Sequence, residues 1–433
     1  MKKLGKHSLI AATFFAMTFV TLGVPALASH DSADVIVEWN QLAQRTIGGQ
    51  PFSQTRQYAM VHIAMADAVL AIDGHYRPFR VRTWAPRGAS QEAAAAQAAR
   101  DVLVALVPGS QATLDAALAT RLATIPEGRR TTGVQVGKKV AAAVLAWRQN
   151  DGFATANPQP PIIIASVLPG IWRPTASGAA QYSGLGSVEP FGLLSPTQFQ
   201  PLPFPQLESP EYAEDYNEVK SKGRLTGSTR TPEETRTAQL VAGSGAFSNA
   251  TNPFRLWSNV ARDAAQSKRL SLVETARLFA LVTASIHDSL QTAHASKFVY
   301  RLWRPETAID QADIDNNAGT VSESKWAPLV TSPPYPSHSS NMACIAAGAA
   351  RMIANVLDTD RVAFTATWYS TATPPAVVHA QPYSSFWELA EDVGNARVWG
   401  GVHFRFEVTT SQSSCLQVAD FIFKKRMQAR YED

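Results

Sequence analysis

The sequence predicts an all-α protein of amphipathic bundle helices with a long proline-rich loop. Three observations carry this. Apolar residues recur at helical spacing in one segment after another, strand-like alternation is scarce, and eleven of the 27 prolines crowd between Ala156 and Pro210. In the first helical segment, Arg56 to Ile72, the residues Met60, Ile63, Ala64, Ala68 and Ala71 fall on one face. Gln91 to Leu106 is Ala-rich with the same period, and Val134 to Trp147 repeats it. His62 lies within the first of these and reads as a core or rim histidine. The stretch from Ala156 to Pro210 cannot hold a regular helix, because proline lacks the amide hydrogen and clashes with the preceding turn. Its aromatics, Trp172, Phe191 and Phe204, predict a loop packed on the helical body. Helical pattern resumes at Glu211, again at Thr231 to Ala246 with Pro232 tolerated in a first turn, and then from Leu256 to Trp303 with breaks. A polar loop, Asp310 to Ser324, leads to the proline-bounded segment 333 to 336 and a helix from about Ser339 to Leu357.

The N-terminus reads as a leader for export to the periplasm or the exterior. Lys2, Lys3 and Lys6 precede an apolar stretch from Leu9 to Val24, and Ala26-Leu27-Ala28 offers a cleavage site before Ser29. Residues 1–28 are therefore set apart from an N-terminal helical half, 29–210, and a C-terminal half, 211–433. The apolar stretch is short for a membrane span, so no stable span is expected after cleavage. The chain carries 39 Lys and Arg against 35 Asp and Glu, and without the three leader lysines the balance is close to neutral. That excludes a broad electrostatic footprint for nucleic acid. Two cysteines, Cys344 and Cys415, can form one bridge in an oxidising compartment, but they are too few for a thiolate metal site.

Three short segments share one chemical character. Lys297 and Arg304 are seven apart, which on a continuous helix returns them to one face, and Pro305 marks the expected end of that helix. Taken singly, such a pair would read as a solvated charged face. The second segment, Pro336-Ser337-His338-Ser339, precedes an apolar helix that Ser337 or Ser339 could cap, and the positive end of the helix dipole suits an oxyanion. His338 adds a group able to move a proton near neutral pH. In the third, Arg397 offers a planar fork, Gly400-Gly401 interrupts the helix, and His403 and Glu407 at i, i+4 let a carboxylate fix an imidazole tautomer. Together they form an inventory for a compact, multiply charged oxyanion such as phosphate or vanadate.

This ordered set resembles the K-x6-R-P, P-S-G-H and S-R-x3-G-x-H-x3-D signature shared by vanadium haloperoxidases and type 2 phosphatidic acid phosphatases. Lys297, Arg304, Ser337, Arg397, Gly401 and His403 match it. The Arg56 segment, the LPGIWRP loop, the PEYAEDYNEVK stretch and the KFVYRLWRP run are similar to the longer, haloperoxidase-type members. The resemblance implies two helical bundles around a vanadate whose only covalent protein ligand is His403. Lys297, Arg304, Arg397, Ser337 and the Gly401 amide would hydrogen-bond its oxygens, with Glu407 behind His403. Hydrogen peroxide and halide would be the substrates, with an organic acceptor downstream. Phosphate could occupy the same site, where His403 would act as the nucleophile of a phosphatase and His338 would protonate the leaving oxygen. A degenerate, purely binding member is the third reading.

The chain departs from the signature in four places. P-S-H-S replaces P-S-G-H, so either His338 serves as the proton-transfer histidine, the reading favoured, or Ser339 holds that slot. Glu407 replaces Asp, Ala396 replaces Ser, and His294 stands where haloperoxidases often place an aromatic beside the halide path.

Overall fold

A computed structural model of the chain describes residues 32–158, 167–175, 180–248, 253–370, 372 and 375–430. The leader and part of the proline-rich stretch lie outside these residues. After α1 (Asp34–Thr46), Pro51 opens α2 (Pro51–Asp73), which ends where Gly74 takes a left-handed φ of 86° and donates its amide to the Leu70 carbonyl. Then come α3 (Gln91–Leu106), α4 (Gln111–Ala123) and α5 (Glu127–Arg148). The alanines of α3 and the glycines of α5 let those two backbones approach closely. A Cβ placed on Gly137 would stand 2.5 Å from the Ala94 carbonyl oxygen.

The described part of the proline-rich stretch packs on the bundle as the sequence predicts. Its path is set by one carboxylate: Asp288 accepts the amides of Phe191 at 2.8 Å, Gly192 at 2.7 Å and Leu193 at 3.0 Å. These bonds satisfy a loop that has no ladder of its own. Next follow α6 (Pro210–Lys222), α7 (Pro232–Ala242), opened by a Thr231–Glu234 capping box, and α8 (Pro253–Ser267). At the centre runs α9 (Leu272–Tyr300), started by the reciprocal bonds of Ser271 and Glu274 and buried almost continuously from Leu272 to Lys297. A helix buried on every side belongs in the middle of a bundle. α2 packs against it, so one core runs through both halves of the chain.

Beyond α9 lie α10 (Pro305–Asp310), α11 (Asn341–Leu357), a hairpin of β1 (Phe364–Tyr369) and β2 (Val377–Tyr383), then α12 (Phe386–Trp399) and α13 (Arg405–Lys425). The strands pair antiparallel with Phe364 opposite Tyr383. The cysteines of α11 and α13 form a disulfide, Cys344–Cys415, with Cα atoms 5.2 Å apart. No described helix is long and apolar enough to cross a membrane.

Two local expectations are corrected. Lys297 and Arg304 do not share a helix face, because Arg301 takes a left-handed φ of 53° and ends α9, and Arg304 becomes the N-cap of α10. The cap of α11 is neither Ser337 nor Ser339. It is Ser340, whose hydroxyl accepts the Ala343 amide.

Candidate active site

The three predicted segments meet. α9 brings Lys297, the turn into α10 brings Arg304, the last turn of α12 brings Arg397, and the α12–α13 connection brings His403. That connection is held from beneath by an aromatic cluster: Phe404 and Phe406 stack at 5.2 Å, and Tyr212 of α6 lies 5.4 Å from Phe404. The start of α13 is tied to α6 as well, with the Phe406 amide on Asp215 at 2.6 Å and Arg405 on Glu218 at 2.6 Å.

Lys297 and Arg304 are fully buried, and Arg397 and His403 are nearly so. Lys297 Nζ donates to the Ser337 carbonyl at 2.7 Å and to the Ser339 carbonyl, which leaves one of its three hydrogens. Arg304 donates Nε to the Tyr335 carbonyl at 3.1 Å and Nη1 to the Val402 carbonyl at 2.8 Å. The Tyr335 ring lies between these cations, its centroid 5.2 Å from Lys297 Nζ and 5.1 Å from Arg304 Cζ. Tyr335 lay inside a quoted segment but carried no sequence signal as a site residue, since its position depends on the loop that folds it back.

Burial pushes the Lys297 ammonium well below its usual value, and Arg304 and Arg397 push the same way against the pull of Glu407. Burial also lowers Arg397 to about 10. Arg304 Nη2 and Arg397 Nε are buried without a hydrogen-bond partner among the described residues. Buried cations with unpaired donors are groups whose burial cost an anion would offset.

The histidine is set in one tautomer. Its Nδ1 lies 3.0 Å from Glu407 Oε2, and its Nε2 lies 3.2 Å from Arg304 Nη1, which can only donate. The proton therefore sits on Nδ1, and Nε2 keeps a lone pair directed at the cations. Burial lowers His403 well below the ordinary imidazole value, and Arg304, Lys297 and Arg397 lower it further, so the ring is neutral. Glu407 Oε2 also accepts the Phe404 amide at 2.8 Å and the Ser337 hydroxyl at 2.9 Å. Burial nevertheless raises this carboxyl to about 7.

Two expected roles fall differently. The Ser337 hydroxyl donates to Glu407, so its hydrogen supports the histidine's partner and is not offered to an oxyanion. The Gly401 amide donates to the Val398 carbonyl at 2.9 Å. Glycine is required there because φ is +78° and a Cβ would collide with the Gly223 backbone and Pro328. His338 is fully buried with Nε2 on the Leu202 carbonyl at 2.8 Å, while Nδ1 has no partner. Tyr300 packs on its ring at 4.9 Å, and burial lowers it to about 4. Among the described residues no cluster of three His, Cys, Asp or Glu side chains could hold a metal cation. The unpaired guanidinium hydrogens and the His403 lone pair fit an oxyanion such as vanadate or phosphate.

Residues 277–431 match the model of the VCPO second helical-bundle domain, a span that runs from α9 through the disulfide and all four cation and histidine positions. Over these residues the chain is similar to that domain. Solved structures extend the likeness of fold to nearly the whole chain. A bacterial vanadium-dependent iodoperoxidase superposes with a TM-score of 0.76 at 21% identity, covering 93% of this chain and 99% of that one. An apo-type bacterial vanadium-dependent chloroperoxidase gives 0.69 at 15% identity, covering 91% and 97%. A holo-type chloroperoxidase gives 0.64 at 16%, covering 93% of each. No curated protein matches the chain by sequence. The all-α fold is that of the vanadium haloperoxidases, and the unpaired donors lie within its second bundle.

Proposed function

We propose that this protein is an exported vanadium-dependent haloperoxidase-like oxidoreductase that oxidises halide with hydrogen peroxide. The observation that carries this reading is the neutral His403, its Nδ1–H held by Glu407 and its Nε2 turned to Arg304 Nη1, beside buried Arg304 and Arg397 donors that lack partners among the described residues. His403 Nε2 would ligate vanadate, while Arg304, Arg397 and the third hydrogen of Lys297 would hold its oxygens. Bound vanadate would supply a Lewis-acid centre for peroxide activation without changing oxidation state. The cations would stabilise negative charge where water is excluded. His338 has Nδ1 as its one open nitrogen and would take up a proton there, its tautomer set by the Leu202 carbonyl. The same Nε2 lone pair could attack phosphorus, which makes acid phosphatase the second reading.

Equilibrium dialysis with vanadate tests the proposal, paired with halide-oxidation and phosphatase assays. His403→Ala should abolish tight vanadate retention, because hydrogen bonds alone hold an exchangeable anion. Arg397→Lys should weaken retention roughly ten- to a hundredfold, the worth of a charge-assisted hydrogen bond of about 1.5 to 3 kcal/mol. Retention by His403→Ala equal to that of the parent would remove His403 as the ligand. Phosphatase turnover without halide oxidation in vanadate-loaded protein would select the second reading.

A further inference from the structure

Asn341, the first residue of α11, was not among the residues the sequence singled out, and the structure gives it a definite polarity. His294 of α9 lies with Nε2 3.0 Å from the Gln181 carbonyl oxygen. A carbonyl only accepts, so the proton of this imidazole is on Nε2 and Nδ1 is an acceptor. The Asn341 side-chain nitrogen lies 3.2 Å from that Nδ1 and donates to it. The direction of the amide is thereby fixed, and its oxygen is turned away from His294. Asn341 is only 6% exposed, and its Oδ1 has no hydrogen-bond partner among the described residues.

This unpaired acceptor belongs to the neighbourhood of the cations. His294 packs edge-on against Tyr335 at 5.0 Å, and the same Tyr335 ring lies over Lys297 and Arg304. Two residues before Asn341, the Ser339 carbonyl receives Lys297 Nζ. Donor hydrogens on Arg304 and Arg397 also lack partners among the described residues, and Lys297 and Arg304 both act electrostatically on His294, which Asn341 contacts. An anion that pairs with the cations and still carries a hydrogen would satisfy both kinds of group.

We propose that Asn341 Oδ1 accepts the O–H of the bound species, so that the site selects a protonated oxyanion or a peroxide over an anion without hydrogen. His294 is the positioning residue that sets the amide's direction. The inference rests on the cation site proposed above and adds its selectivity.

Inorganic phosphate and sulfate separate the two ideas, since both are tetrahedral and only phosphate keeps an O–H at neutral pH. Calorimetric titration of the vanadate-free protein should show phosphate binding about tenfold tighter than sulfate, one hydrogen bond's worth. Asn341→Leu should bring phosphate down to the sulfate level while leaving sulfate affinity in place, which also shows that the variant folds. His294→Phe should lose most of the preference, because the amide is then free to turn over. Equal affinities in the parent, or an equal fall of both in Asn341→Leu, would overturn the role of Asn341 alone. Binding of neither anion by the parent, or binding unaffected by Arg397→Leu, would remove the cation site and this inference with it.

Discussion

The contact between α3 and α5 and the region around α9, α12 and α13 both bury their facing residues, but they are organised by opposite rules. Between α3 and α5 the contact is made of alanine and glycine, and Gly137 sits so near the Ala94 carbonyl that no side chain fits. Nothing there needs a partner from outside. Around His403 the interior holds Lys297, Arg304 and Arg397 against the single carboxylate of Glu407, and several donors and acceptors remain unpaired. Dispersion and apolar burial are satisfied by the fold itself, whereas buried charge is satisfied only with its counter-ion. The first region is therefore a scaffold, and the second holds a cost that a bound anion would remove.

The comparison can be tested at three points, from the largest expected effect to the smallest. The disulfide joins α11 to α13 across a sequence separation of 71 and so braces the charged region. Loop-closure entropy makes it worth about 4 kcal/mol, and the Cys344→Ala/Cys415→Ala protein should lose about that much in urea unfolding. An unchanged midpoint would mean that packing alone contains the charges. In the scaffold, Gly137→Val should cost about 3 kcal/mol through overpacking while leaving phosphate and vanadate affinity unchanged; a fall in affinity would show that the two regions are coupled. Arg397→Leu should do the reverse. Its guanidinium is lowered to about 10, so folding works against its charged form, and that penalty applies at every pH below about 10. At neutral pH the vanadate-free variant should be more stable by ~1–2 kcal/mol, and it should lose most of the stabilisation that vanadate gives the parent. Destabilisation of the vanadate-free variant would mean that Arg397 has a structural partner.

Much of the site was legible because its chemistry is concentrated in short segments. Lys297, Arg304, Arg397, His403 and Glu407 could be named from spacing and residue type, and Cys344 and Cys415, as the two cysteines of the chain, could be named as one bridge. The roles assigned to backbone and hydroxyl groups were less secure. Ser337 and the Gly401 amide were expected to face the oxyanion, yet their hydrogens go to Glu407 and the Val398 carbonyl. Such groups are small and have several possible partners within reach, and the choice among them is made by backbone direction, which residue type does not encode. Asn341 and Tyr335 were missed for the same reason.

The sequence by itself determined the helical architecture, the place of the proline-rich loop and the charged inventory, because periodicity, proline chemistry and ionisable residue types act locally. Tertiary structure decided how those parts are used. The left-handed residue Arg301 turned Arg304 off the face of α9 and into the site. Ser340, three residues beyond Ser337, became the helix cap, and a carbonyl of the packed loop at Gln181 set the tautomer of His294 and, through it, the direction of Asn341. Each of these is a choice between local alternatives of similar energy, and in each case a contact between residues distant in the chain makes the choice.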